Sequence, residues 1–360
     1  MYRARQVART ISAGGWLRLW GPIAGCCAGL LAIAASACEG ADQDPPEVES
    51  PIASEIHDSA GIPIVENRAP APDSRLGWAV GDAPVVAGVH GRTMTLRGPL
   101  DPATREVAAA GQAADGAPAD VEPHVVLRVL PGGAMLTRTP RGFRQGFHRW
   151  ESSYALMGTH GATRASLGNY LGIETFSAFY QQPDGNFAVI PLRHPFGKTT
   201  VTTAWGDLAA IGDTETYEIR GYRSDGSLAR IVRRDHETRI PTQAEQDQVF
   251  RNRFAGLSEE DREPRMAVAA DVPLAESFPA YSRIRGDALG NLWVAEFKLP
   301  DARYEGTLWT VFDREGRALG FVATPGGLSI FEIGEDYILG STTDEMDVEY
   351  VEMWELARSD

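Results

Sequence analysis

Residues 285–322 read RGDALGNLWVAEFKLPDARYEGTLWTVFDREGRALGFV, and this stretch decides the fold. It holds two kinds of turn. In the first, Asp287, Gly290 and Asn291 precede the apolar run LWVAEF (292–297). In the second, DREG (313–316) joins LWTVF (308–312) to ALGFV (318–322). Asp or Asn beside Gly supplies the positive-φ positions a short reverse turn needs, and the apolar runs on either side read as strands. Side chains alternate across a strand, so Leu292 and Val294 belong on one face and Trp293, Ala295 and Phe297 on the other. The carboxylate of Asp287 then poses a choice between a turn device and a metal or acid–base site. Recurrence of the same turn with different side chains favours the turn.

That recurrence runs through the chain. The first turn type returns in LPGGAML (130–136), QPDGNFAVI (182–190), AWGDLAAIGD (204–213) and EIGEDYILG (332–340). The second returns in LMGTHGATRASLG (156–168) and GYRSDGSLARIV (221–232). The second follows the first by 28 residues (Gly133 to Gly161), 20 (Gly206 to Gly226) and 26 (Gly290 to Gly316). A sandwich would use about 100 residues of such hairpins. Here roughly 300 residues repeat them, and radial repetition is the economical closure. At about 40 to 50 residues per four-stranded blade, the length suits about six blades. The expectation is an all-β protein, a six-bladed β-propeller.

One segment departs from this pattern. PTQAEQDQVFRNRFAGLSEEDREPRM (241–266) has almost no β-branched residues and is rich in helix formers. Thr242 and Glu245 fit a capping box, and Val249, Phe250, Phe254 and Leu257 fall near one helical face. One or two helices inserted between blades are expected, with a disordered acidic loop as the competing reading of LSEEDREPR (257–265).

The N-terminus gives an address. Residues 1–18 carry Arg3, Arg5, Arg9 and Arg18 and no acid, and the uncharged run LWGPIAGCCAGLLAIAASA (19–37) ends in small residues before Cys38. A basic region, an apolar region and a small-residue stop make a secretory signal over 1–37. The competing reading is an uncleaved anchor, since a spanning helix needs about 20 residues; Gly21–Pro22 argues against a well-packed span. Residues 38–54 are acidic and lack aromatics, so they read as a flexible tether, with the propeller domain over 55–360.

Cys26, Cys27 and Cys38 are the only cysteines, and cleavage would leave Cys38 alone at the mature start. That excludes an internal disulfide, a cysteine-based zinc site and a cysteine nucleophile from the globular part. Cleavage removes four arginines and no acids from a chain of net charge −15, leaving −19. Such a body repels nucleic acid, whose binding rests on basic patches, so no nucleic-acid partner is expected.

AASAC (34–38) resembles the lipobox of bacterial lipoproteins, with Ala35 where leucine is commonest. That likeness implies cleavage before Cys38 and lipidation of its thiol, and so a membrane-anchored, extracytoplasmic protein. HDSAGIPIVENRAP (57–70), TETYEIRGYRSDGSLARIVRRDHE (214–237), the helical insertion, GNLWVAEF (290–297), WTVFDREGRALG (309–320) and IGEDYILGSTTDEMDVEYVEMWEL (333–356) together resemble a group of bacterial six-bladed β-propeller lipoproteins, related in blade style to NHL-repeat proteins. The match covers the N-terminal motif and most of residues 200–356, and it weakens between about 79 and 180, where AAAGQAADGAPADVEP (108–123) replaces the family's glycine-rich stretch. The resemblance implies architecture and address; the family carries no assigned activity to transfer.

No constellation in the sequence nominates a catalytic, cofactor or metal site. Asp184, Asp225, Asp287 and Asp313 stand beside turn glycines, but none lies in a D-x-[DN]-x-[DN]-G calcium loop, so turn chemistry is expected. In RRDHE (233–237), Asp235 or Glu237 beside His236 would orient a general base; adjacent strand residues point to opposite faces, which favours a solvated strand exit. TTDEMDVEY (342–350) gathers Asp344, Glu345, Asp347 and Glu349 in what reads as a solvated acidic turn. His57, His90, His124, His148, His160, His194 and His236 show no paired-ligand spacing, and no G-x-S-x-G, Walker or G-x-G-x-x-G motif is present. Trp205, Trp293, Trp309 and Trp354 read as blade core. The function expected is a ligand- or protein-binding or scaffolding module, with a hydrolase or lyase at one end of the propeller channel as the alternative.

Overall fold

The computed structural model describes residues 53–71, 76, 78–89, 124–140, 144–159, 161–181 and 185–358. Residues 1–37, read as a signal, Cys38 and most of the stretch read as a tether lie outside these residues, as do His90, His160 and Asp184.

Within them, 19 strands form four sheets. Sheet I is an antiparallel meander of β4 (Val125–Val129), β5 (Met135–Arg138), β6 (Gly146–Met157), β7 (Thr163–Gln181) and β8 (Phe187–Arg193). Sheet II continues with β9 (Thr200–Trp205), β10 (Leu208–Asp213), β11 (Glu218–Tyr222) and β12 (Leu228–Arg234). Its outer edge takes up β2 (Pro63–Asn67), parallel to β12, and then β1 (Ala53–His57), which opens at the end of the stretch read as a tether. Sheet III is β13 (Tyr281–Gly286), β14 (Leu292–Glu296), β15 (Thr307–Phe312) and β16 (Ala318–Thr324). Sheet IV joins β17 (Ser329–Ile333), β18 (Tyr337–Thr343) and β19 (Glu349–Ala357) to the early strand β3 (Ala79–Val89), so the two ends of the fold share one blade.

Each sheet packs its face on the next, which is the radial stacking of a propeller. Leu136, Leu156 and Leu167 of sheet I share a core with Ala209, Ile211 and Tyr222 of sheet II. Leu292 and Val294 of β14 pack with Trp205 and Ile219 between sheets II and III. Trp293 and Ala295, from the opposite face of the same strand, pack with Ile330 and Trp354 between sheets III and IV. The alternation read from LWVAEF therefore places β14 in two cores at once. All four tryptophans named above are buried, Trp293 completely.

The protein is thus an all-β propeller with a helical insertion. The described residues make four sheets where the spacing suited about six blades. Two features use up that length. Strands β6 and β7 run to 12 and 19 residues, with bulges along their pairing, so one meander spans Val125 to Arg193. Sheet II also recruits β1 and β2 instead of leaving them to a blade of their own. The expected irregularity of the early region falls partly on residues 90–123, outside the described residues.

The insertion is two helices, α1 (Gln243–Phe254) and α2 (Glu259–Ala270). Thr242 and Glu245 make both arms of the capping box, and Ser258 caps α2 by accepting from the backbone N–H of Asp261. LSEEDREPR is therefore the start of a helix. Phe250, Phe254, Val268 and Ala269 bury against Leu192 of β8, which seats the helices on the outer part of sheet I.

Candidate functional site

The site grows from the ends of two neighbouring strands. β12 finishes sheet II with Arg233 and Arg234, and β14 finishes its run in sheet III with Glu296. Alternation sends Arg233 outward, where its Nε donates to Glu218 at 2.8 Å, and Arg234 inward toward sheet III. Arg234 is 5% exposed in its side chain and meets Glu296 as a fork, Nη1 to Oε1 and Nη2 to Oε2, both at 2.8 Å. Thr310 Oγ1 donates to the same Oε1 at 2.6 Å and Tyr217 Oη at 3.1 Å. The Arg234 guanidinium also lies 4.0 Å over the Tyr217 ring.

Glu296 accepts four hydrogen bonds, which engage both of its oxygens. Burial, reinforced by the Glu296 charge, pushes the Tyr217 phenol well above its ordinary range, so it stays a donor. A carboxylate engaged on every side is a poor base or nucleophile; its role is to neutralise Arg234 and tie sheet II to sheet III.

His236 lies two residues beyond Arg234, on the wall of a cleft of about 400 Å³ between the two sheets. Desolvation, and next the Arg234 charge, lowers its pKa below the usual imidazole value, so the ring is neutral at pH 7. It makes no hydrogen bond among the described residues. Phe278, Phe297 and Leu299 give the cleft an apolar wall, and Arg239 completes the rim, bound to Glu245 of α1 and, at 2.6 Å, to Asp301. An imidazole acceptor beside an apolar wall, with Glu237 and Thr238 also on the lining, suits ligand recognition.

Within RRDHE only Arg234 enters the seam; Asp235, His236 and Glu237 are exposed beyond the end of β12, as a solvated strand exit would place them, and His236 and Glu237 line the cleft. Sequence reasoning gave the strand alternation correctly, yet Glu296 lies 62 residues from Arg234 and nothing local marks their pairing. At the other end of β12 and β14 is a second depression of about 460 Å³, lined by Trp205, Arg223, Arg230, Gly290 and Arg314.

The remaining candidates resolve into structural roles. Asp287 is completely buried in its side chain. Its Oδ1 accepts from the backbone N–H groups of Leu289 (3.0 Å) and Asn291 (2.7 Å). Its Oδ2 accepts from Asn291 Nδ2, Trp293 Nε1 and Arg358 Nη1 at 2.9, 3.0 and 2.8 Å. Asp313 and Asp225 likewise bind the backbone of their own turns. In TTDEMDVEY, Asp344 accepts from the N–H groups of Met346 and Val348 and from the Tyr350 hydroxyl, as expected of a turn. Among the described residues no three of His, Cys, Asp and Glu gather as a metal-holding group.

His194 is buried and saturated. Its Nε2 donates to the Pro273 carbonyl at 2.8 Å and its Nδ1 accepts from the Phe196 N–H at 3.2 Å. His148 Nδ1 lies 2.9 Å from the Gly146 carbonyl, and His57 pairs with Glu55 at the surface.

No protein-family model matches the chain, and no curated protein matches it. Similar solved structures include Kluyvelomyces marxianus Hsv2, at 12% identity and TM-score 0.23 over 62% of this chain and 70% of that one. Regucalcin, a calcium-binding protein from Agrobacterium tumefaciens, aligns at 12% identity and TM-score 0.20 over 62% of this chain and 63% of its own. A gluconolactonase from Xanthomonas campestris aligns at 12% identity and TM-score 0.16 over 68% of this chain and 98% of that one. At these scores the propeller assignment rests on the sheet order and the packing of each sheet on the next.

Proposed function

We propose that the protein is a lipid-anchored, extracytoplasmic propeller that binds a small, partly apolar ligand in the His236 cleft. The observation that carries the reading is the contrast within the site: the carboxylate on its floor is spent on four internal donors, while the neutral imidazole above it has none. The ligand offers a hydrogen-bond donor to His236 and an apolar body to Phe278, Phe297 and Leu299. A hydrolase or lyase would need a nucleophile or activated water aligned with that imidazole, and no hydroxyl or carboxylate hydrogen-bonds to His236 among the described residues.

Soaking crystals with small aromatic amides tests the cleft. Density beside His236 in the wild type, absent in Leu299→Trp, supports the reading; fragments that bind elsewhere and ignore the variant count against it. The anchor has its own test. Cys38→Ala releases the protein from membranes, and a wild-type chain that takes up no lipid label removes the anchor from the account.

A further inference from the structure

Strands β4, β9 and β13 are the edge strands that open sheets I, II and III, and each is hydrogen-bonded on one side only. Their free edges lie together. The Gly286 N–H of β13 donates to Thr203 Oγ1 of β9 at 3.1 Å, and a Cβ at Gly286 would run into the Ala204 carbonyl. On the other side of β9, Leu127 of β4 and Ala204 of β9 pack against the same core. This inner row carries Arg128 on β4 and Arg283 and Arg285 on β13. Arg283 and Arg285 share a strand face, opposite Ile284, which is buried between sheets II and III.

None of the three is paired with an acid among the described residues. Arg128 Nη1 donates only to the neighbouring Leu127 carbonyl at 2.5 Å, and its Nε is buried without a partner. Arg283 lies 5.8 Å over the Trp309 ring. Arg285 makes no hydrogen bond or ion pair at all among the described residues. Several other arginines are matched to acids, Arg149 to Asp213, Arg233 to Glu218, Arg234 to Glu296 and Arg358 to Asp287, while Arg138 and Arg230 donate to backbone carbonyls. The protein has 49 acids against 34 bases, yet no acid among the described residues pairs with Arg128, Arg283 or Arg285.

We propose that Arg128, Arg283 and Arg285 form a binding site on the inner edge of the propeller for a small, multiply charged anion bearing carboxylate or phosphate groups. The guanidinium fork matches both oxyanions, and the partly buried Arg128 and Arg285 regain lost solvation when such a group arrives. The electrostatics agree: burial lowers the pKa of each arginine, and at Arg285 the charges of Arg128 and Arg283 lower it further. The site shares no residue with the His236 cleft, so either stands without the other.

Thermal melting and titration calorimetry test this with citrate and inorganic phosphate, against chloride at matched ionic strength. In the wild type the two oxyanions raise the melting midpoint beyond the effect of chloride, because they bind only the folded protein. Arg285→Gln loses that rise and binds about tenfold more weakly. Without added oxyanion the same variant melts no lower than the wild type, since removing one of three like charges relieves repulsion. Arg283→Gln, at an exposed position, gives the same loss of response. A larger effect of citrate assigns the site to carboxylates, and a larger effect of phosphate to phosphoryl groups. A wild-type midpoint moved no further than by chloride, or a variant that keeps the wild-type response, overturns the proposal.

Discussion

At the scale of the residue, one turn design recurs at four aspartates. Asp58, Asp287, Asp313 and Asp344 each accept, through Oδ1, from the N–H groups two and four residues ahead. The position three ahead is left-handed each time: Gly61, Gly290 and Gly316 in three turns, and Asp347, at φ 59°, in the fourth. Glycine adopts that conformation freely, whereas a Cβ costs about 1 kcal/mol. Asp347→Gly is therefore expected to raise stability by up to about 1 kcal/mol, read from a denaturant midpoint with unchanged slope. Asp287 does more than turn the chain. Its carboxylate holds Arg358, whose Nη2 and Nε also donate to Gly334 and Glu335 carbonyls, and whose guanidinium lies 4.4 Å from the Trp78 ring. Asp287→Ala strands a buried guanidinium and an indole N–H, and should cost about 3 to 5 kcal/mol in the same measurement. The turn was legible because Asp, Gly and Asn are adjacent in sequence. The lock was not, because Arg358 lies 71 residues away.

At the scale of the element, the helical insertion shows the same division. Its capping box and apolar face are local and could be read directly. Its attachment is not local. His194 donates to Pro273, Lys198 Nζ to Ser277 at 2.7 Å, and Gln246 Nε2 to Val272 at 3.0 Å, all of them buried side chains finding backbone carbonyls. Burial holds the His194 pKa below its ordinary value. A base with a depressed folded pKa leaves the unfolded chain binding more protons, so its contribution is complete above about pH 6.5 and is lost as pH falls through that value toward the folded one. The melting temperature should thus fall between pH 7 and 5. His194→Gln keeps a donor and an acceptor but cannot titrate, and should show a shallower fall; the slope that persists includes His236, which shifts in the same direction. An unchanged slope would remove His194 from the account. The N-terminal strand has a comparable role. Asn67 on β2 donates to the Arg233 and Gly316 carbonyls and accepts from the Ala318 N–H, which staples sheet II to sheet III and explains why IPIVEN (62–67) belongs with the blades.

At the scale of the whole molecule, hairpin spacing revealed the architecture because each turn and strand is encoded within about ten residues. The number of sheets was less legible. Long bulged strands and a recruited N-terminal hairpin alter the residues used per sheet without altering the local pattern. The cleft was hidden for a related reason: His236, Glu296, Phe278 and Leu299 come from separate segments that only the packing of sheet II on sheet III brings together. Function in this account depends on that seam, with a neutralised ion pair below and a neutral imidazole facing open space above. NMR of the His236 imidazole tests it most directly, followed through pH and then through addition of a small aromatic amide. The account predicts a neutral ring at pH 7, an apparent pKa below that of a free histidine, and resonances that move on addition of the amide but not in Leu299→Trp. A ring that titrates as free histidine does and ignores the amide would contradict it.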